Sequence, residues 1–259
     1  MLRTNFLKTA FASMLVVCAM GFYSCSSDDG EPETPPTESS IVGKWDVQSN
    51  TRATGDTKYG SFEFTADNKY IITQPAVATN GDKYMLVIFG DYVVGKNESN
   101  DFTLNLKEFG TIKISITENH ASITIDGVVY VAVKSQDMDL SDSDKKLIGT
   151  WKISSKYGSE DDSKITDEGT WTFTSAGTYV IASPDGEVEN GTWSMKSNNV
   201  VSVTYQSYSM SIPDGGSQSE ITVEYTTDDL TISKLTSNEF ILEEPDDMSD
   251  DTILVFGEK

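Results

Sequence analysis

The sequence predicts an all-β chain of two tandem antiparallel meander β-barrels, and three observations carry that prediction. One pattern is written twice: Gly43-Lys44-Trp45 opens one strand-rich stretch, Gly149-Thr150-Trp151 opens another, and the landmarks after each tryptophan recur in the same order. Within both stretches apolar and polar residues alternate at the two-residue period of a half-buried strand. Short turn signals separate the alternating runs, and no long helical pattern appears after the first 24 residues. The repeat is detailed. Phe62-Glu63-Phe64-Thr65 is answered by Trp171-Thr172-Phe173-Thr174, Tyr70 by Tyr179, and Gly90-Asp91-Tyr92 by Gly191-Thr192-Trp193. Ile114 to Thr117 is answered by Ile232 to Thr236.

Residues 1–24 have the parts of a bacterial export signal: Arg3 and Lys8 lead, an apolar run extends from Ala10 to Tyr23, and small Ser24 precedes Cys25. The run is too short to span a bilayer. Cysteine in that place resembles the acceptor of a lipoprotein signal, so Cys25 is the expected lipidation site and the membrane an expected partner. A plain secretory peptide is the alternative. Cys18 lies in the segment to be removed, so no thiol remains for a disulfide or a metal in the folded part.

Residues 25–40 are expected to be a tether. Ser26 to Glu38 contains five acids and three prolines and no large apolar group, a composition that cannot bury surface enough to fold. The Ser26-Ser27-Asp28-Asp29 run resembles the address that sends some lipoproteins to the outer face of the outer membrane, with a bland spacer as the alternative. The chain has 19 basic and 41 acidic residues, a net charge of −22; removal of Arg3 and Lys8 makes it −24. That field excludes nucleic acid as a natural partner.

Residues 41–134 form the first unit. Its alternating runs include Phe62 with Phe64, Phe102 with Leu104 and Leu106, Ile112 with Ile114 and Ile116, Ile123 with Ile125, and Val129 with Val131 and Val133. Turns are expected at Asp67-Asn68, Asn80-Gly81, Glu118-Asn119 and Asp126-Gly127. Residues 135–146 read as a linker, with a short helical cap expected between Asp139 and Leu147. Residues 147–259 form the second unit, where Trp151, Ile153, Trp171, Phe173, Tyr179, Ile181, Trp193, Met195, Val201, Val203 and Tyr205 share the period of two, with turns expected at Asp185-Gly186 and Ser237-Asn238. About eight short strands per unit close best as a barrel, because closure removes the exposed edges.

The ordered series Gly-x-Trp, Phe-x-Phe-Thr or its Trp-x-Phe-Thr counterpart, and then a later Gly-x-aromatic resembles the small lipocalin-like domain of bacterial outer-membrane lipoproteins, and it covers most of the mature chain twice. The resemblance implies that Gly43 and Gly149 let the strand start crowd the barrel end, and that Trp45 and Trp151 plug it. It further implies a basic residue from the last strand over each indole, here Lys134 and Lys259 where larger lipocalins place arginine. Each unit is shorter than a large lipocalin, and so compact a barrel can be filled by its own side chains. Trp171, Tyr179, Trp193 and Tyr205 are therefore core residues or, alternatively, lining for a ligand.

Residues able to support catalysis are few. His120, the single histidine, follows Glu118-Asn119 at a turn, and none of the familiar nucleophile, phosphate-loop, zinc-helix or dinucleotide signatures is present. The pairs Asp161-Asp162, Asp228-Asp229, Asp246-Asp247 and Asp250-Asp251 read as loop neighbours whose side chains point apart. Asp137, Asp139, Asp142 and Asp144 have oxygens for calcium but lack the glycine and distal glutamate of an EF-hand loop, so a solvated linker is the competing reading. No catalytic residue, metal or cofactor is expected. The expectation is a non-enzymatic, lipid-anchored surface protein binding a small apolar molecule, a glycan or a protein. The alternative is a solid assembly module of an envelope complex.

Overall fold

The computed structural model describes residues 40–51, 58–78, 81–98, 101–157, 165–197, 199–211, 220–245 and 252–259. The expected export signal, Cys25, most of the tether, and three of the four acidic pairs lie outside them. The strands are β1 (Gly43–Asn50), β2 (Ser61–Phe64), β3 (Lys69–Val77), β4 (Lys83–Glu98), β5 (Asp101–Leu106), β6 (Gly110–Thr117), β7 (His120–Ile125) and β8 (Val128–Lys134). After a 3₁₀ turn at Asp144–Leu147 come β9 (Gly149–Tyr157), β10 (Ile165–Phe173), β11 (Thr178–Ala182), β12 (Val188–Ser197), β13 (Val200–Ser211), β14 (Glu220–Leu235), β15 (Glu239–Pro245) and β16 (Thr252–Glu258).

Each set of eight closes into an antiparallel barrel in meander order: β8 returns to β1 in the first, and β16 to β9 in the second. Closure satisfies the backbone groups that an open edge would leave unpaired. Bulges at Val47/Ser49 in β1 and Asp167/Gly169 in β10 bend strands that must curve round a narrow barrel. Strands are not all short as expected, since β4 and β14 have 16 residues each and extend past their barrel walls' shorter members. The Asp126-Gly127 turn has φ of 49° and 76°, the pair of left-handed residues a two-residue hairpin needs.

The sequence repeat is also a repeat of bonding. In the first barrel Thr65 N–H donates to Lys69 O (2.9 Å), Tyr92 N–H to Asn68 O (2.9 Å), and the Tyr92 hydroxyl to Thr65 O (3.1 Å). In the second, Thr174 N–H donates to Thr178 O (3.0 Å), Trp193 N–H to Gly177 O (2.9 Å), and the Trp193 indole N–H to Thr174 O (2.9 Å). Asn68 and Gly177 occupy the same left-handed position, with φ of 62° and 81°. Tyrosine and tryptophan thus fasten the same turn from the same place.

Inward residues form two separate cores. The first gathers Trp45, Phe62, Phe64, Tyr70, Ile72 and Leu104 among others, and the second gathers Trp151, Phe173, Tyr179, Trp193, Phe240 and Leu242 among others. Outward residues are buried too, and in matching places. Glu63 faces Ile71 across β2–β3, and Thr172 faces Val180 across β10–β11, all pointing away from their own cores. Their exposures are nevertheless 2%, 1%, 0% and 0%. Each outer wall is covered where the barrels meet. The Glu63 carboxylate accepts hydrogen bonds from the Thr174 and Thr178 hydroxyls of the second barrel. Thr150 N–H donates to Asp67 Oδ2 (2.9 Å). The buried Gln206 amide acts like a paired strand residue, donating to Met85 O and accepting from Met85 N–H at 3.1 Å each.

The acidic linker is docked on the second barrel. Met138 N–H donates to Ser175 O (2.8 Å), Ser175 Oγ donates to Asp137 Oδ1 (2.5 Å), and Met138 with Leu140 packs against the second core. The two barrels are therefore held by covalent, strap and wall contacts together.

Burial raises the Glu63 carboxyl above the ordinary carboxylate range; hydrogen bonds from Thr174 and Thr178 and the charge of Lys44 oppose this, while Asp46 adds to it. A folded-state value above the unfolded one means that folding favours the protonated form, and the benefit is lost as pH rises through the folded value. Glu63→Gln should therefore match the parent in melting temperature below the ordinary glutamate range and exceed it at neutral pH. Thermal unfolding of both proteins at the two pH values checks this; a Gln variant less stable at neutral pH would refute it.

Candidate functional site

Both barrels are plugged by the same three-part device. Gly43 and Gly149 start β1 and β9 with φ of 123° and 127°, a region closed to most side chains. A Cβ on Gly43 would lie 2.7 Å from Lys134 Cε, and one on Gly149 would lie 2.8 Å from Lys259 Nζ. The missing side chain is thus the channel through which the closing lysine crosses. Trp45 and Trp151 are fully buried, with indole N–H groups donating to Ile41 O (2.9 Å) and Leu147 O (2.7 Å). Lys134 Nζ lies 5.4 Å from the Trp45 ring and Lys259 Nζ 4.1 Å from the Trp151 ring, within cation-π range. Lys259 also donates to Ile148 O (2.6 Å), and its burial holds the ammonium below the usual lysine range despite the opposing charge of Asp67.

The interiors above the plugs differ. In the first barrel Tyr59 fills the space, its ring 5.2 Å from Phe62 and 5.1 Å from Tyr130. Phe109 closes over it, 6.1 Å from Tyr59 and 6.3 Å from Tyr70. The Tyr70 hydroxyl donates to Lys107 O (2.6 Å) in the turn that carries Phe109. Desolvation, with Glu108 and Asp91 adding, pushes that phenol up to about 12, so it stays a donor at physiological pH.

In the second barrel a half-open pocket of about 180 Å³ remains on the inner face of the wall. Trp171, Tyr179 and Tyr205 give it aromatic sides, and Ile181, Val203 and Leu230 supply apolar surface. Trp171 meets Tyr179 edge to face at 5.7 Å and 83°, so the rings are held by each other. Trp193 is elsewhere: it stacks edge-on against Phe173 at 5.5 Å, and its N–H is used by the Thr174 turn. Three of the four aromatic candidates come together, and the fourth belongs to the core.

Glu189 and Asp228 complete the cavity lining, and the sequence reading did not single them out for it. Asp228 was expected in a loop. It lies within β14, facing inward opposite Val203, while Asp229 faces out and pairs with Lys196. The available signal was parity: Glu189 precedes Gly191 and Trp193 by two and four residues, and Asp228 precedes Leu230 by two. Glu189 is exposed and Asp228 half-buried, so neither carries the apolar signal that marks the rest of the lining.

Two further cavities lie along the seam between barrels. One of about 440 Å³ is lined by Gly43, Glu63, Asp67, Gly149, Thr174 and Lys259 among others, and one of about 290 Å³ by Lys44, Asp46, Ser61, Met85, Thr178 and Gln206 among others. His120 opens β7 as an exposed residue. Among the described residues no group of three or more histidine, cysteine or acidic side chains is placed to hold a metal ion. In the linker Asp142 pairs with Lys145 and Asp144 accepts from Ser141.

No protein-family model matches the chain, and no curated protein is detectably similar to it.

Alanine at Gly43 or Gly149 should cost about 1–3 kcal/mol through the strained φ, and more where the lysine cannot move aside. Gly127→Ala, at φ 76° with nothing within 4 Å of its Cβ position, should cost less. Urea unfolding of the three variants ranks them; equal losses would show that the lysine crossing is not what requires glycine.

Proposed function

We propose that this chain is a non-enzymatic, lipid-anchored lipoprotein of the bacterial cell surface, built of two lipocalin-like barrels of which the second binds a small molecule. One observation carries the proposal: among the described residues the second barrel keeps an aromatic-lined pocket where the first, with the same frame, is filled by Tyr59, Phe109 and Tyr130. Ligand sites typically pair a concave apolar lining with a few placed polar groups. At about 180 Å³ the space suits a small ligand rather than a whole fatty acid or sterol. The lipocalin-like motifs, the export signal and Cys25 support the same reading from the sequence side.

A second reading makes the pair a rigid assembly module, with glycan or protein partners on the loops. It is favoured by the filled first barrel and by the joined outer walls, which give a stiff body. Mass spectrometry of the material extracted from protein purified out of its native membrane separates the two. A reproducible small molecule supports the carrier, and an empty extract with a stoichiometric protein partner supports the module.

Ile181→Trp should fill the cavity and abolish ligand retention by at least tenfold with the fold retained, because the indole would occupy the space the ligand needs. Cys25→Ser should move the chain from the membrane fraction to the soluble one, since a lipid chain contributes about 0.8 kcal/mol for each buried CH₂. Fractionation with radiolabelled palmitate checks the second; unchanged membrane association would remove the lipid anchor from the proposal.

A further inference from the structure

We propose that the cavity of the second barrel is selective for a small organic cation, an amine or quaternary ammonium. This rests on the binding role assigned to that barrel and names its ligand class. The argument begins with parity. Glu189 faces Ile181 across β11–β12, Trp171 faces Ile181 across β10–β11, and Asp228 faces Val203 across β13–β14. All these side chains share the inner face. Tyr205 stands on β13, between the strand carrying Glu189 and the strand carrying Asp228.

Two carboxylates therefore border a space otherwise walled by aromatic rings and aliphatic chains, and among the described residues no lysine or arginine lines it. Outward acids on this chain are unremarkable, since solvent screens them. Glu189 is exposed and Asp228 half-buried where the pocket meets solvent: an anionic occupant would be repelled by both, and an apolar one would cover Asp228 and return no compensating donor. A cation returns that interaction and also meets the π faces of Trp171, Tyr179 and Tyr205, which attract positive charge. The volume fits the same class, being right for a head of a few heavy atoms rather than a long chain. The net charge of −22 adds a long-range field that concentrates cations at the surface and repels anions.

The seam cavity beside Glu63 is larger but makes a weaker case. Its acid is already held by Thr174 and Thr178, and Lys259 is engaged by Ile148 O and the Trp151 ring.

The test uses the full chain in a non-ionic detergent, titrated calorimetrically with choline, tetramethylammonium and ethanolamine, and with 3,3-dimethylbutan-1-ol, the neutral isostere of choline. At least one cation should bind, about tenfold or more tighter than the isostere, with affinity falling as salt is raised. The Glu189→Gln/Asp228→Asn double variant, checked for an unchanged melting temperature, should lose about tenfold or more in cation affinity and leave the isostere unaffected. If the isostere binds as well as the cations, or the double variant binds cations as well as the parent, the cation preference is overturned while the cavity's binding role stands. If no probe binds and Ile181→Trp leaves the native extract unchanged, the binding role falls as well.

Discussion

Each barrel depends on an indole sealed beneath a lysine, and that arrangement is possible only because a glycine stands beside it. A buried indole is expensive unless its N–H finds an acceptor. Ile41 O and Leu147 O supply one four residues upstream in each copy. The segment before β1 and the 3₁₀ turn before β9 are thereby tied across the barrel floor. The lysine then comes from the last strand, so the contact joins the first strand to the eighth at the place where the barrel must close. Glycine is required at that point for two separate reasons, the left-handed φ and the passage of the lysine. Removing any of the three members would unseat the others, which is why the same trio recurs in both copies while much around it has changed.

The second constraint is the joined walls. A barrel satisfies its own backbone, so nothing in its closure requires a neighbour. Here equivalent hairpins of the two copies lose their solvent exposure, and one buries a carboxylate to do so. A buried ionisable group is a weak source of stability even when it is hydrogen-bonded. Its value lies in direction: Glu63 accepts from Thr174 and Thr178, so a slipped docking would leave a carboxylate without donors. Gln206 serves the same end through the two-way bond to Met85, as a side chain imitating one rung of a strand ladder. The Met138–Ser175 strap limits how far the barrels can separate, and Asp67, whose hydrogen bonds from Thr65 and Thr150 outweigh the effect of its burial and lower its carboxyl, completes the seam.

The architecture was legible in the sequence because it rests on signals the chain states twice. Period-two alternation marks each strand, turn chemistry marks each reversal, and the Gly-x-Trp start marks each copy. What was not legible depends on relations between distant parts. Glu63 reads as the polar member of Phe62-Glu63-Phe64, and nothing local says that its outward face is covered. Ile71 and Val180 read simply as additional apolar residues in strongly apolar strands. The linker's acids suggested solvent, yet Met138 and Leu140 anchor it. The cavity was half visible: Trp171, Tyr179 and Tyr205 stood out by size. Glu189 and Asp228 stood apart only by parity, which assigns them to an inner face where charge is not expected.

Among the described residues the two copies differ in what occupies the upper interior. In the first copy Tyr59 and Phe109 bring two rings from the segments at the barrel mouth and close the space over Phe62 and Tyr70. In the second, Trp171 stands where the first has Phe62, and it turns its larger ring against Tyr179 and Phe240, drawing the packing toward the plug. Space is left above, and the residues that look into it include two acids. A filled barrel gains dispersion contacts throughout its interior and a hollow one forgoes them. Docking joins the outer walls of the two copies at Glu63, Ile71, Thr172 and Val180, so the interiors are free to differ while the seam stays the same.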